Sequence, residues 1–253
     1  MNLAQLYDTL TAAGNLSGWQ EMYVNFYKAW FLNDRWIQYF KGLLTTIEVT
    51  IIALIIGVVL GIVVAVIRTA HDQQRLGRRN PVLGVVNALC KIYVTIIRGT
   101  PMMVQLLIMG FVIFKSSRNF TMVGALSLGI NSGAYVAEII RGGLMSLDPG
   151  QMEAGRSLGL GYFDTMRFIV IPQAFKAILP SLGNEFITLL KDTSLISVIG
   201  GKEIVYFAQA IITKTYEAMY PYIIVAIMYL IMVLIFTWLQ GRLERRLRES
   251  DRR

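Results

Sequence analysis

The chain of 253 residues holds one cysteine, Cys90, and one histidine, His71, and each scarcity removes a class of chemistry. A single thiol forms no disulfide within the chain, and neither a cysteine-based zinc cluster nor a disulfide scaffold can be built around it. His71 lies in a basic loop and reads as solvated surface, so no nucleophile has a base to activate it. Charge is scarce as well: Asp, Glu, Lys and Arg make up 16% of the chain, where a soluble domain carries about 25%. The phosphate-binding loop Gly-x4-Gly-Lys-Ser/Thr is missing; its nearest approach, Gly200-Gly201-Lys202-Glu203, lacks the upstream glycine and the hydroxyl residue. Metal, redox and ATP chemistry are therefore not expected of this chain, and any ATP hydrolysis must happen on another polypeptide. The first 27 residues hold no Lys or Arg but do hold Asp8 and Glu21. The basic start of a cleavable signal peptide is thus missing, and insertion is expected to rely on internal segments.

What the chain has in abundance is apolar length. Hydrophobic residues make up 55%, in runs of roughly 20 residues, enough to cross a hydrocarbon core about 30 Å thick. The pattern predicts an all-α, multi-pass membrane protein with about five transmembrane helices. The first span, 43–67, holds Glu48 as its only ionisable residue, and its last 17 residues are uncharged. Gly57 and Gly61, four apart on one face, form a small-xxx-small pattern that admits a close helix neighbour or merely reflects apolar composition. The second stretch, 82–114, is too long for one straight span and contains Lys91, Arg98 and Pro101; Gly99-Thr100-Pro101 predicts a break near Arg98. Spans three, four and five are expected over 120–140, 168–190 and 221–240.

The formal charge of +8 would suggest nucleic acid in a soluble protein, but these basic residues sit mostly between apolar runs, and no nucleic-acid partner is expected. Arg68, Arg75, Arg78, Arg79, Arg141, Arg156, Arg167, Arg242, Arg245, Arg246, Arg248, Arg252 and Arg253 fall on one side; eight fall on the other, over a longer stretch. The positive-inside rule then puts the N-terminus outside and the C-terminus in the cytoplasm. Before the first span, Leu3, Leu6, Tyr7 and Leu10 follow helical spacing, with Trp19, Tyr23, Phe26, Tyr27, Trp30 and Trp36 after them, so 1–42 reads as an extracytoplasmic interfacial segment with an aromatic belt. The membrane domain occupies 43–240, with a cytoplasmic loop at 141–167. From the end of span five into the tail, 241–253, Leu239, Leu243 and Leu247 with Glu244 and Arg248 suggest a short amphipathic helix at the membrane surface ending in basic residues.

The most specific local feature is 148–161, within the 141–167 loop. Asp148 suits the start of a short helix, Pro149 its first position and Gly159 the left-handed residue that ends it. About ten residues of helix are marginal alone and need something to hold them. Glu153-Ala154-Gly155-x3-Gly159, followed by Ile169 and Pro172, resembles the EAA loop of permease subunits in ATP-binding-cassette importers. Gly155 departs from the second alanine of the generic pattern. Arg98-Gly99-Thr100-Pro101, the segment from Ser132 to Gly143, Pro172-Gln173-Ala174-Phe175, Leu182-Gly183-Asn184-Glu185-Phe186 and Leu190-Lys191-Asp192-Thr193-Ser194-Leu195 are similar to the polar amino acid branch, the permeases for histidine, glutamine and arginine.

The resemblance covers roughly 43–240. It implies a type I importer fold in a bacterial inner membrane and a homo- or heterodimer of permease subunits. It also implies two cytoplasmic ATPase subunits holding ATP and magnesium, no cofactor on this chain, and an extracytoplasmic protein that delivers a polar amino acid. Glu153, Ala154, Gly155, Ser157, Leu158 and Gly159 would form the coupling helix that inserts into the ATPase.

Charge in the hydrocarbon region costs about 2.5 to 3.5 kcal/mol on insertion scales, so Glu48, Arg98 and Glu185 should face a cavity or a partner. Arg98 with the break at Thr100 can receive a substrate carboxylate, and Glu48 or Glu185 an ammonium. Two carboxylates in the membrane suggest a basic substrate. A structural ion pair at Arg98 and an intersubunit role for Glu185 are the alternatives. Asp192 and Thr193, at the outer end of span four, read as a gate, a docking surface or a solvated helix end; Glu138 and Arg141 read as structural. The rival functions are an ion-coupled secondary transporter with Glu48 or Glu185 as its proton site, and a membrane scaffold.

Overall fold

The computed structural model describes residues 2–14, 16–74 and 80–251, with side chains through Leu247. Arg75, Arg78, Arg79, Arg252 and Arg253, which contribute to the orientation count, lie outside the described residues, as does the Arg248 side chain. No strand occurs among the described residues.

Two short helices open the chain. α1 (Leu3–Ala13) begins where the Asn2 N–H donates to Gln5 Oε1 at 3.0 Å and ends on Gly14 at φ +68°. α2 (Gly18–Trp30) folds back along it: Tyr7 stacks on Tyr27 at 4.7 Å, and Tyr23 OH donates to the Leu3 carbonyl at 2.9 Å. α1 buries nothing, while Trp19 on α2 is 82% exposed.

α3 (Arg35–Asp72) runs unbroken for 38 residues, about 57 Å at the α-helical rise. It therefore extends beyond the expected 43–67 at both ends, because apolar composition marks only the stretch at hydrocarbon depth. α4 (Pro81–Gly99) ends at the expected break: Thr100 and Pro101 are extended, and α5 (Met102–Ile108) with a π-helical turn over Met109–Ile113 completes the second stretch. α6 (Phe120–Met145) outlasts the expected 120–140. A short helix α7 (Gly150–Ser157) and a single turn α8 (Tyr162–Thr165) follow, then a π-helical turn over Met166–Val170 that leads into α9 (Ile171–Asp192). A 3-10 segment (Thr193–Ile199) continues α9, and α10 (Ile204–Thr215) follows, bent by 45° relative to the run Tyr162–Ile199. The sequence pattern gave no separate place to α10.

α11 (Met219–Asp251) corrects the expected tail. The helix does not stop at 240, and no separate amphipathic helix follows: Leu239, Leu243 and Leu247 continue α11 and line a groove with Leu179 and Pro180 of α9. Among the described residues, four helices are long and apolar enough to cross a membrane, and there are five if the bent Tyr162–Ile199 and Ile204–Thr215 pair is one span. The core is the crossing of α3 with α6. Gly57 and Gly61 face Ser132 and Val136 of α6, and Gly129 of α6 faces Ile56 of α3, so small residues from both helices let the backbones meet.

Candidate functional site

Two adjacent polar residues in the middle of α6 organise much of the polarity inside the bundle. Ser132 Oγ donates to Glu185 Oε1 at 2.7 Å, joining α6 to α9. Asn131 Nδ2 donates to Gln105 Oε1 at 3.0 Å, and Gln105 Nε2 donates to Thr100 Oγ1 and the Ile97 carbonyl, both at 2.8 Å. Gln105 thereby satisfies carbonyl groups freed by the break at Pro101, as an interrupted membrane helix requires. Thr100 and Glu185, both expected at the site, are thus connected through α6. Ser132 is fully buried because α3 presents only hydrogen there: a Cβ on Gly57 would stand 2.7 Å from Ser132 Oγ.

A second group centres on Glu138. Arg68 bonds it directly, Arg98 Nη1 lies 3.9 Å from Oε2, and Arg141 Nε lies 3.8 Å from Oε1 while its Nη1 reaches Asp72 Oδ2 at 3.5 Å. The Arg98 guanidinium also lies 5.2 Å from the centre of the Tyr135 ring. Arg68, Lys91, Thr95, Arg98 and Glu138 line a cavity of about 340 Å³. Three cations facing one carboxylate leave this cavity net positive and suited to an anion. Glu138 and Arg141 are therefore members of an ion-pair network, in keeping with their expected structural role.

The remaining expected residues lie apart. Glu48 sits on the exposed side of α3 in a row with Leu44, Ile51 and Ile55, without a described partner. Asp192 ends α9 half-buried. Thr193 is fully buried: its hydroxyl donates to the Leu190 carbonyl at 2.7 Å and lies 3.3 Å from Tyr229 OH, which donates to Glu203 Oε2 at 3.0 Å. Glu203, also fully buried, caps α10 by accepting the Tyr206 N–H at 2.8 Å. Sequence alone gave Glu203 no role beyond a failed phosphate loop. The signals for the unexpected residues were a carboxylate placed before an apolar helix at Glu203, and lone amides or hydroxyls inside apolar runs at Gln105, Asn131 and Ser132.

α7 is built as its residues dictate. Asp148 Oδ1 accepts the Gly150 N–H at 2.8 Å, Pro149 already has helical angles, and Gly159 closes the helix at φ +80°. Glu153, Ala154, Ser157, Leu158 and Gly159 point outward, Leu158 being 78% exposed; Gly155 alone faces inward.

The model of the binding-protein-dependent transport system inner membrane component matches residues 81–249. The chain belongs to this family of permeases. The arginine transport system permease protein ArtQ of Bacillus subtilis is 38% identical over 187 residues, covering 67% of this chain and 84% of that one. The glutamine transport system permease protein GlnP of Escherichia coli is 39% identical over 168 residues, 65% and 77% of the two chains. The permease also superposes on a chain of a solved amino acid ABC transporter with histidines at TM-score 0.73 and 40% identity, covering 83% and 94%. The MetNI methionine ABC transporter shares the fold at TM-score 0.69 and 17% identity. The permease is accordingly a multi-pass inner-membrane transport subunit of the ABC importer type, with the type I importer fold, and not an enzyme.

Proposed function

We infer that the permease imports a polar amino acid by alternating access, driven by cytoplasmic ATPase subunits that hold ATP and magnesium and grip α7. The observation that carries this reading is α7 itself, which presents Glu153 and Leu158 outward while only Gly155 is buried. The positive-inside count supports an N-terminus outside, a cytoplasmic C-terminus and α7 on the ATPase side. Exposed Leu3 of α1 and exposed Trp19 and Phe26 of α2 support an interfacial role for 1–42. A binding protein delivers solute from outside, and lipid covers the apolar rim.

Ser181, Asn184, Thr188 and Lys191 leave one side of α9 polar and exposed within an otherwise apolar bundle. Such a row must face a second permease subunit or a water-filled path, which supports a homo- or heterodimer. The net positive cavity at Arg98 supports capture of the substrate carboxylate there, and Glu185 or Glu48 supplies the acceptor for an ammonium. That the relatives transport arginine and glutamine supports the polar class, with basic members first.

The test is uptake by the complete importer in proteoliposomes, using labelled arginine, glutamine, histidine and leucine. Removing a charged hydrogen-bond donor costs about 1.5 to 3 kcal/mol. Arg98→Ala should therefore raise the KM for the transported amino acid about 10- to 100-fold, with ATPase assembly intact. Glu185→Gln should discriminate further, weakening arginine more than glutamine. Equal uptake of leucine, or an unchanged KM in both variants, would contradict the substrate assignment.

A further inference from the structure

We propose that Thr165 is the positioning residue through which motion of α7 is delivered to α9, and that Gly155 is glycine in this chain because Thr165 occupies the space of its side chain. The proposal rests on the coupling reading of α7 and adds the point at which the force enters the bundle.

An eight-residue helix is marginal by itself, so its position is set by what it touches. Its one buried residue is Gly155, and beneath it lies Thr165, also fully buried. A Cβ on Gly155 would stand 2.7 Å from Thr165 Oγ1 and 3.1 Å from Thr165 Cβ, inside contact distance, so no slack separates the two. Thr165 cannot swing aside freely, since its hydroxyl donates to the Gly161 carbonyl at 2.9 Å. The Leu160 N–H donates to the Gly155 carbonyl at 3.1 Å and closes the loop around the contact. Gln173 Nε2 of α9 donates to Gln151 Oε1 of α7 at 3.0 Å, a second tie at the edge of the same junction.

Thr165 is also the last residue before the π-helical turn Met166–Val170, which runs directly into α9. Such turns are rare and recur at functional positions. A displacement of α7 thus presses on Thr165, whose continuation is that turn, and beyond the turn lies the helix bearing Glu185. The generic alanine at position 155 would need a smaller residue at position 165. Gly155 and Thr165 are a matched pair whose combined volume fills the junction.

The experiment reconstitutes the complete importer and measures ATP hydrolysed per labelled arginine or glutamine imported, together with co-purification of the ATPase. Gly155→Ala should raise the ATP cost per solute about tenfold, and Gly155→Ala/Thr165→Ala should return it to within about twofold, a non-additivity expected only of residues in contact. If Gly155→Ala fails to assemble with the ATPase while the double variant assembles, the matched-pair reading is equally supported. Thr165→Ala alone should loosen coupling about twofold to threefold without loss of assembly. Glu153→Lys is the control for the underlying reading: if it leaves transport intact, the coupling role of α7 itself fails. If Glu153→Lys acts while Gly155→Ala is silent, or if the double variant is no better than Gly155→Ala, the assignment of Thr165 is overturned.

Discussion

Replacing Gly61 by leucine is expected to remove nearly all folded permease from the membrane, a loss of about tenfold or more in monodisperse protein after detergent extraction. A single Cβ at this position would already stand 2.7 Å from Val136 Cβ and 3.0 Å from the Ala137 amide nitrogen. Backbone nitrogen cannot turn away as a side chain can, so leucine must push α3 off α6. That crossing is the core of the bundle, and it holds Ser132, which in turn holds Glu185. Gly84→Leu is the matched control: a Cβ there meets nothing within 4 Å, so yield should be preserved. Equal yields of the two variants would mean that the small-residue crossing does not set the helix packing.

Glu153→Lys should have the opposite profile, with normal yield and lost function. The side chain is exposed, and substitutions at such positions usually change stability by no more than about 0.5 kcal/mol. Yet Glu153 lies in the first turn of α7, where negative charge complements the helix N-terminus, and in the proposed function it stands on the face offered to the ATPase. Reversing a charge at a docked surface costs several kcal/mol, so uptake and stimulation of ATP hydrolysis should fall together by about 100-fold. A variant that loses uptake while retaining full stimulation would place Glu153 in the solute path instead of the coupling joint.

These two variants mark what the sequence could and could not disclose. Gly57 and Gly61 were legible as a possible packing face because glycine spacing is local, and α7 was legible because Asp148, Pro149 and Gly159 are punctuation that acts within a few residues. The break at Pro101 was legible for the same reason. The ends of α3, α6 and α11 were not, since helices continue past the hydrocarbon depth that apolar composition records. The pairing of Gly155 with Thr165, of Ser132 with Glu185 and of Glu203 with Tyr229 joins residues on different elements, and a one-dimensional pattern holds no trace of which distant residue fills a given space. Thr193 shows the same limit: its place in the chain suggested the surface, and its burial follows from the packing of the 3-10 segment it opens against α3, α5, α6 and α10, with Tyr229 of α11 reaching its hydroxyl.

The most direct test of the central claim is solute accumulation by the purified permease reconstituted in liposomes with its binding protein, with and without the ATPase subunits. Accumulation of labelled amino acid should require both ATPase and hydrolysable ATP, persist when a protonophore collapses the proton gradient, and vanish with Glu153→Lys. Accumulation by the permease without the ATPase, or uptake that a protonophore abolishes at constant ATP, would contradict the account and point to ion-coupled transport.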